Sequence, residues 1–141
     1  MYVVNPDSLA IITIWTEAQG EPYEGKVAVG EVIRNRMLRN YSSDGTVAGT
    51  VARRYQFSAW NDDAQDNALL IRALKITETD GIVQDCIRAW NESRRTNYTK
   101  GAVLYCNLDA CARPSWAKDE NQTIKIGHHT FYSDGPTLTK A

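Results

Sequence analysis

Little in this 141-residue sequence points to a strongly charged or greasy partner. Its 16 basic residues balance 17 acidic ones, the net charge is −1, and no block of either sign occurs. A surface so evenly mixed lacks the basic face that nucleic acid requires, and no RNA-type aromatic motif is present. Long apolar runs are also missing. The longest, around Leu9 to Trp15, falls far short of the ~20 residues of a membrane-spanning helix. The opening "MYVVNPDSLAIITIW" has no positive segment, and Pro6 and Asp7 interrupt it before it reads as a signal sequence. The expectation is a chain made and first held in the cytoplasm, without stable membrane association.

Cysteine is scarce and odd in number (Cys86, Cys106 and Cys111), which argues against a fully paired disulfide framework. Cys106 and Cys111 are close enough in sequence to approach each other, but free thiols are the default. The only histidines, His128 and His129, are adjacent. On a strand they point to opposite faces and do not readily share one metal. With no CxxC or HxxxH pair, neither a metal nor another cofactor is expected. A G-x-S-x-G nucleophile elbow is absent too, so a serine-hydrolase reading has no anchor.

What is present is a hydrophobic content of 43%, enough for the core of one domain over residues 1–141. A helix is expected from Asp7-Ser8, with Asp7 or a neighbour as its cap. Its apolar residues lie almost all round, as in a buried central helix, and Gly20 and Pro22 stop it. A second helix is expected from Tyr23 or Glu24 to about Asn40, with Val29, Ile33 and Met37 recurring at i+4. "YSSDGTVAG" reads as a loop, and "VARRYQFSAWNDDAQ" as short and irregular. A third helix is placed over 64–77. A fourth follows Asp80-Gly81 with the stripe Val83, Cys86, Ile87 and Trp90. "AVLYCN" and "TIKIGHHTFY" read as one strand each. The fold class is therefore α+β, mainly helical, with a small late β element.

Among the acids, Glu17 stands out. It ends an apolar helix beside Trp15, and a carboxyl held against aromatic surface loses solvation of its charged form, which suits a proton donor. Glu21, in the helix break, and Glu24, in the first turn of the next helix, are its rivals. "QFSAW" reads either as a loop anchored by Phe57 and Trp60 or as a cleft wall, with aromatic faces for sugar rings and Gln56 and Ser58 for their polar groups.

The segment "EAQGEPYEGKVAVGEVIRNRM" resembles the opening motif of the SleB/CwlJ-type cell-wall hydrolases, a spore-cortex-lytic family that also occurs among phage endolysins. In order, "QFSAW", "GAVLYCN", "RPSWA" and "IGHHTFY" resemble that family's later segments, so the likeness runs from Glu17 to Tyr132. It implies a lysozyme-like fold acting on peptidoglycan glycan strands, monomeric and without a cofactor. Glu17 maps onto the catalytic glutamate. Gln56, Phe57, Ser58, Tyr105, Asn107, Trp116 and His129 map onto substrate-binding positions, whereas His128 fills a variable one. Asn35 and His129 also admit structural roles. The two cysteines of "CNLDACARPSW" depart from the pattern.

The resemblance favours lytic transglycosylation of the MurNAc–GlcNAc β-1,4 bond by one acid, giving 1,6-anhydro-MurNAc ends. A hydrolytic muramidase needs a second carboxylate, for which Glu21, Asp62 and Asp63 are candidates. A wall-binding module without activity and a metal-dependent amidase also stay open. An endolysin released by a holin is the expected setting.

Overall fold

The computed structural model describes residues 5–53, 57, 60, 68 and 71–135. Helix α1 (Pro6–Ala18) begins where Asn5, not Asp7, caps it: the Asn5 side chain accepts from the Asp7 N–H, and Pro6 occupies the first turn, where its missing N–H costs nothing. The all-round apolar character expected of α1 is explained by its neighbours. It packs on α2 (Tyr23–Arg39), on the short α3 (Val47–Val51) and on α4 (Gly81–Glu92), with Ala10, Ile14 and Ala18 buried between them.

Helix α2 ends on Asn40 in the left-handed conformation (φ 52°), whose N–H returns to the Arg36 and Met37 carbonyls. Part of "YSSDGTVAG" is helical rather than loop, because Thr46 caps α3 by accepting from the Gly49 N–H at 3.0 Å. The expected helix over 64–77 falls largely outside the described residues. Residues 71–73 are helical and Leu74 begins a turn, so that helix stops short of Thr77. Helix α4 starts as expected, Asp80 accepting from the Ile82 and Val83 N–H groups.

The late β element is a three-stranded antiparallel sheet in the order β1 (Leu104–Cys106), β3 (His129–Tyr132), β2 (Gln122–Ile126). "TIKIGHHTFY" is thus a hairpin and not one strand. Ile126 pairs with His129, leaving Gly127-His128 as a two-residue turn. Positive φ at Gly127 (59°) but not at His128 fits a type II′ turn, which asks for glycine at its first position. One sheet face carries Tyr105, Phe131, Ile124 and Ile126, which pack on Ala28 and Val32 of α2. The other carries Leu104, Cys106 and Tyr132, covered by Trp116 and Ala117.

Two contacts of α2 fix its surroundings. A Cβ on Gly30 would lie 2.9 Å from Ser93 Oγ, so α2 and the end of α4 approach at a distance only glycine allows. One residue on, the Glu31 carboxylate (2% exposed) accepts from the Tyr98 and Thr99 N–H groups and both threonine hydroxyls, Thr96 and Thr99. These four donors hold the loop that delivers β1. Hydrogen bonds to a charged acceptor contribute about 1.5–3 kcal/mol, and orphaned buried donors are costly. Glu31→Ala is therefore expected to destabilise the fold by about 3–5 kcal/mol in urea unfolding. Gly30→Ala is expected to cost about 1–3 kcal/mol through the clash with Ser93.

Candidate active site

Glu17 sits in the last turn of α1, half-buried, with the sheet facing it. Tyr105, at the centre of β1, donates its hydroxyl to Glu17 Oε1 at 2.5 Å. Burial pushes the Tyr105 phenol well above its ordinary value, and the Glu17 charge and hydrogen bond add to that; the Arg36 charge offsets part of it. Tyr105 is therefore a fixed proton-bearing donor across the pH range in which the fold is used. Arg36, only 4% exposed, is anchored by its Nε–H to the Val103 carbonyl at 2.7 Å. Its guanidinium carbon lies 5.0 Å from the Phe57 ring centroid and 5.9 Å from that of Tyr41. Desolvation depresses the Arg36 pKa, while the charges of Tyr105, Tyr41 and Glu17 act against that. The expected surroundings of Glu17, an apolar wall at Trp15, are thus incomplete. A phenol donates to the carboxylate, and the buried Arg36 lies within its electrostatic reach.

The second acid, Glu21, occupies the break between α1 and α2 and reaches the tip of the hairpin. Its Oε1 accepts from the His128 N–H at 2.7 Å, and its Oε2 meets His128 Nδ1 at 2.8 Å. Below it, Lys26 Nζ donates to the Glu21 carbonyl at 2.5 Å. Burial alone would raise the Glu21 pKa. The side-chain and backbone hydrogen bonds from His128, with the charges of both histidines, outweigh burial and hold it below the usual 4.5. Gly127 leaves the carboxylate room, since a Cβ there would stand 2.4 Å from Glu21 Oε1.

His129 joins the two acids. Its ring lies 4.8 Å from that of Tyr105, centroid to centroid, and its Nδ1 is buried without a partner among the described residues. Burial lowers the His129 pKa and favours the neutral ring, against the charge of Glu21; the His128 charge adds to the lowering. Glu21, His129, Tyr105 and Glu17 therefore form one row across the end of α1, the break and the sheet.

The expected site residues divide accordingly. Tyr105 is brought to Glu17, and His129 to the Tyr105 ring. Phe57 is 1% exposed in the core beside Ile14 and Ala18, which matches the anchored-loop reading of "QFSAW", and Trp60 Nε1 donates to Thr13 Oγ1 at 2.9 Å. Gln56 and Ser58, like Asp62 and Asp63, lie outside the described residues. Asn107 accepts from the Asp109 N–H and shapes the turn after β1. Trp116 packs edge-on against Tyr132, on the sheet face opposite Tyr105. Sequence reasoning missed Arg36, hidden in a helix that otherwise reads as regular, and His128. The signal for His128 was the glycine before it, which marks a turn.

An acid at a helix end is thus backed by a sheet-borne tyrosine and a buried arginine in a small α+β domain. The comparisons place the chain more closely. A model of the cell wall hydrolase family matches residues 20–132. The spore cortex-lytic enzyme of Bacillus subtilis strain 168 is 33% identical over 121 residues, covering 84% of this chain and 34% of that one. That of Oceanobacillus iheyensis is 32% identical over 139 residues, covering 92% and 42%. The chain spans less than half the length of these curated relatives. The structure of the catalytic domain of the germination-specific lytic transglycosylase SleB from Bacillus anthracis superposes with a TM-score of 0.69 at 27% identity, over 94% of this chain and 97% of that one. The Bacillus cereus SleB catalytic domain gives 0.69 at 28%. The chain belongs to the cell wall hydrolase family.

Because the Glu21 pKa is lowered in the fold, its contribution to stability is present in full above the unfolded value and is lost as pH falls through the folded one. Glu21→Gln is expected to lower Tm by about 5 °C at pH 7. The gap to wild type should begin to close below the usual 4.5 and vanish as pH falls through the lowered folded value, as measured by thermal scans across pH.

Proposed function

We propose that this chain is a peptidoglycan-cleaving enzyme that acts as a lytic transglycosylase with Glu17 as its single acid and base. The observation that carries this reading is the 2.5 Å hydrogen bond from Tyr105 to Glu17 at the mouth of the α1–α2 break. Protonated Glu17 donates to the oxygen of the MurNAc–GlcNAc bond as positive charge develops at C1. The resulting carboxylate then removes the proton from the MurNAc C6 hydroxyl, whose oxygen bonds to C1. The products are a 1,6-anhydro-MurNAc end and a free GlcNAc hydroxyl, and Glu17 is protonated again.

Tyr105 and Arg36 stabilise the carboxylate that forms midway, when it carries charge in a half-buried setting. Glu21 is a poor second carboxylate for hydrolysis, because both its oxygens are taken by His128. That occupancy speaks against a muramidase that uses Glu21. The names of the similar spore cortex-lytic enzymes and of the SleB transglycosylase support the same chemistry. The endolysin setting is the extension of this reading to host lysis, checked by turbidity loss of permeabilised Gram-negative cells.

The decisive experiment is mass spectrometry of soluble fragments from purified peptidoglycan. Wild type should release anhydro-muropeptides, and Glu17→Gln should lower their rate of release by roughly 10²–10⁴-fold. Reducing MurNAc ends in place of anhydro ends would mean a muramidase. Full activity in Glu17→Gln would remove Glu17 from the mechanism, and no release by wild type would favour a binding module. Tyr105→Phe keeps the ring but removes the donor, and is expected to lower kcat by about 10–100-fold with little change in KM.

A further inference from the structure

A cavity of about 470 Å³ opens between α2 and the loop after α4, lined by Arg34, Asn35, Leu38, Arg94, Thr96 and Asn97 among others. It lies at the other end of α1 from Glu17: its floor is Arg34, stacked 3.6 Å over Trp90, whose Nε1 donates to Asp7 Oδ1 in the first turn of α1. From Asp7 to Glu17, α1 covers about 15 Å. The cavity is therefore not the catalytic site.

Its polar groups are incompletely used. The Arg34 Nε–H goes to Ser93 Oγ and one Nη–H to the Trp90 carbonyl, both at 2.7 Å, leaving Nη1 without a partner among the described residues. Arg94 is exposed and makes no side-chain hydrogen bond or ion pair among the described residues. The two guanidiniums act on each other: after burial, the Arg94 charge is the main influence lowering the Arg34 pKa, and only Asp7 opposes it. Two cations sharing a cavity with no carboxylate among its described lining residues leave room for an anion. The two amides are half-used in complementary ways. Asn35 donates to the Ala102 carbonyl, so its Oδ1 stays open, and Asn97 accepts from the Gly101 N–H, so its Nδ2 stays open. One open acceptor and one open donor match the N–H and C=O of a peptide unit. Leu38, 83% exposed at the rim, offers apolar surface for a small side chain.

We infer that this cavity binds a carboxylate-bearing peptide, namely the stem peptide carried by the glycan strand. This assignment rests on the peptidoglycan reading above. The arginine pair takes the carboxylate, the two asparagines take a backbone amide, and Leu38 packs on an alanine methyl. A stem of four residues reaches about 13–14 Å when extended, less than the ~15 Å from Glu17 to the cavity end of α1, so the stem that enters the cavity is one carried by a sugar further along the strand than the bond at Glu17. An inorganic phosphate would face the open Asn35 oxygen unfavourably, so the set selects a peptide over a bare oxyanion.

The test uses the whole chain in two measurements. In calorimetry, the free stem tetrapeptide should bind wild type and lose about tenfold or more in affinity with Arg94→Glu, and equimolar phosphate should not displace it. In digestion assays, Arg94→Glu should raise KM about fivefold on peptide-bearing peptidoglycan with kcat unchanged, and leave glycan strands stripped of their peptides unaffected. Equal peptide binding by wild type and variant would overturn the proposal. So would phosphate displacing the peptide, which would mark a general oxyanion site. Failure of wild type to cleave either substrate would instead overturn the peptidoglycan-cleaving reading, while the calorimetric comparison would still decide the cavity.

Discussion

The Glu17 end of the molecule depends on one carboxylate that does no proton transfer in the proposed cycle. Glu21 grips the tip of the β2–β3 hairpin through both a backbone and a side-chain donor of His128. The hairpin is short and begins far along the chain, so nothing local determines where its tip rests. Pinned to the α1–α2 break, the tip brings β3 and its partner β1 over the end of α1, and with them His129 and Tyr105. The clamp is enthalpically strong because a desolvated carboxylate receives two directed donors, and sterically well defined because Gly127 leaves no side chain in the way. Glu31 performs the parallel task at the start of β1 by holding residues 96–99. Two buried acids of one helix–break–helix unit thus position a sheet that is too small to position itself.

How much of this the sequence disclosed follows from the range of the interactions involved. Helices α1, α2 and α4 were legible because their signals are local: Gly20 and Pro22 as stops between α1 and α2, Asp80-Gly81 ahead of α4, and the stripe through Val83, Cys86 and Trp90. Glu17 stood out because a carboxylate on an all-apolar helix is out of place, and the fold sets the Tyr105 hydroxyl against it. The hairpin was misread because "TIKI" and "HTFY" share one alternation, and a two-residue turn containing a single glycine interrupts it too briefly to register. Arg36 was hidden for a different reason. An arginine in a helix reads as a solvated residue, and only the sheet packed against α2, some 67 residues later in the chain, makes it a buried one. Trp116 carried a site expectation from its motif, and it packs on Tyr132, which the period-2 alternation of β3 turns away from the Tyr105 face.

The charged groups also divide the molecule into two ends of opposite character. At the catalytic end, each charge has a partner: Glu17 faces Tyr105 and Arg36, and Glu21 faces His128. At the far end of α1, Arg34 and Arg94 stand together with little to neutralise them. A polymer substrate that carries both neutral sugars and acidic peptides presents these two characters side by side.

Residues 34–36 of α2 show what such an arrangement demands of the chain. Arg34 reaches the end of α4, while Asn35 and Arg36 hold the adjacent Ala102 and Val103 carbonyls that lead into β1. Each step along a helix turns by about 100°. A single-residue insertion or deletion upstream in α2 would therefore hand each of these duties to the wrong neighbour, breaking the α4 contact and both anchors of the segment that leads into β1 together. Length variation in this family should be absent from the segment between the helix break and Arg36 and collect instead in the loops that α2 does not touch.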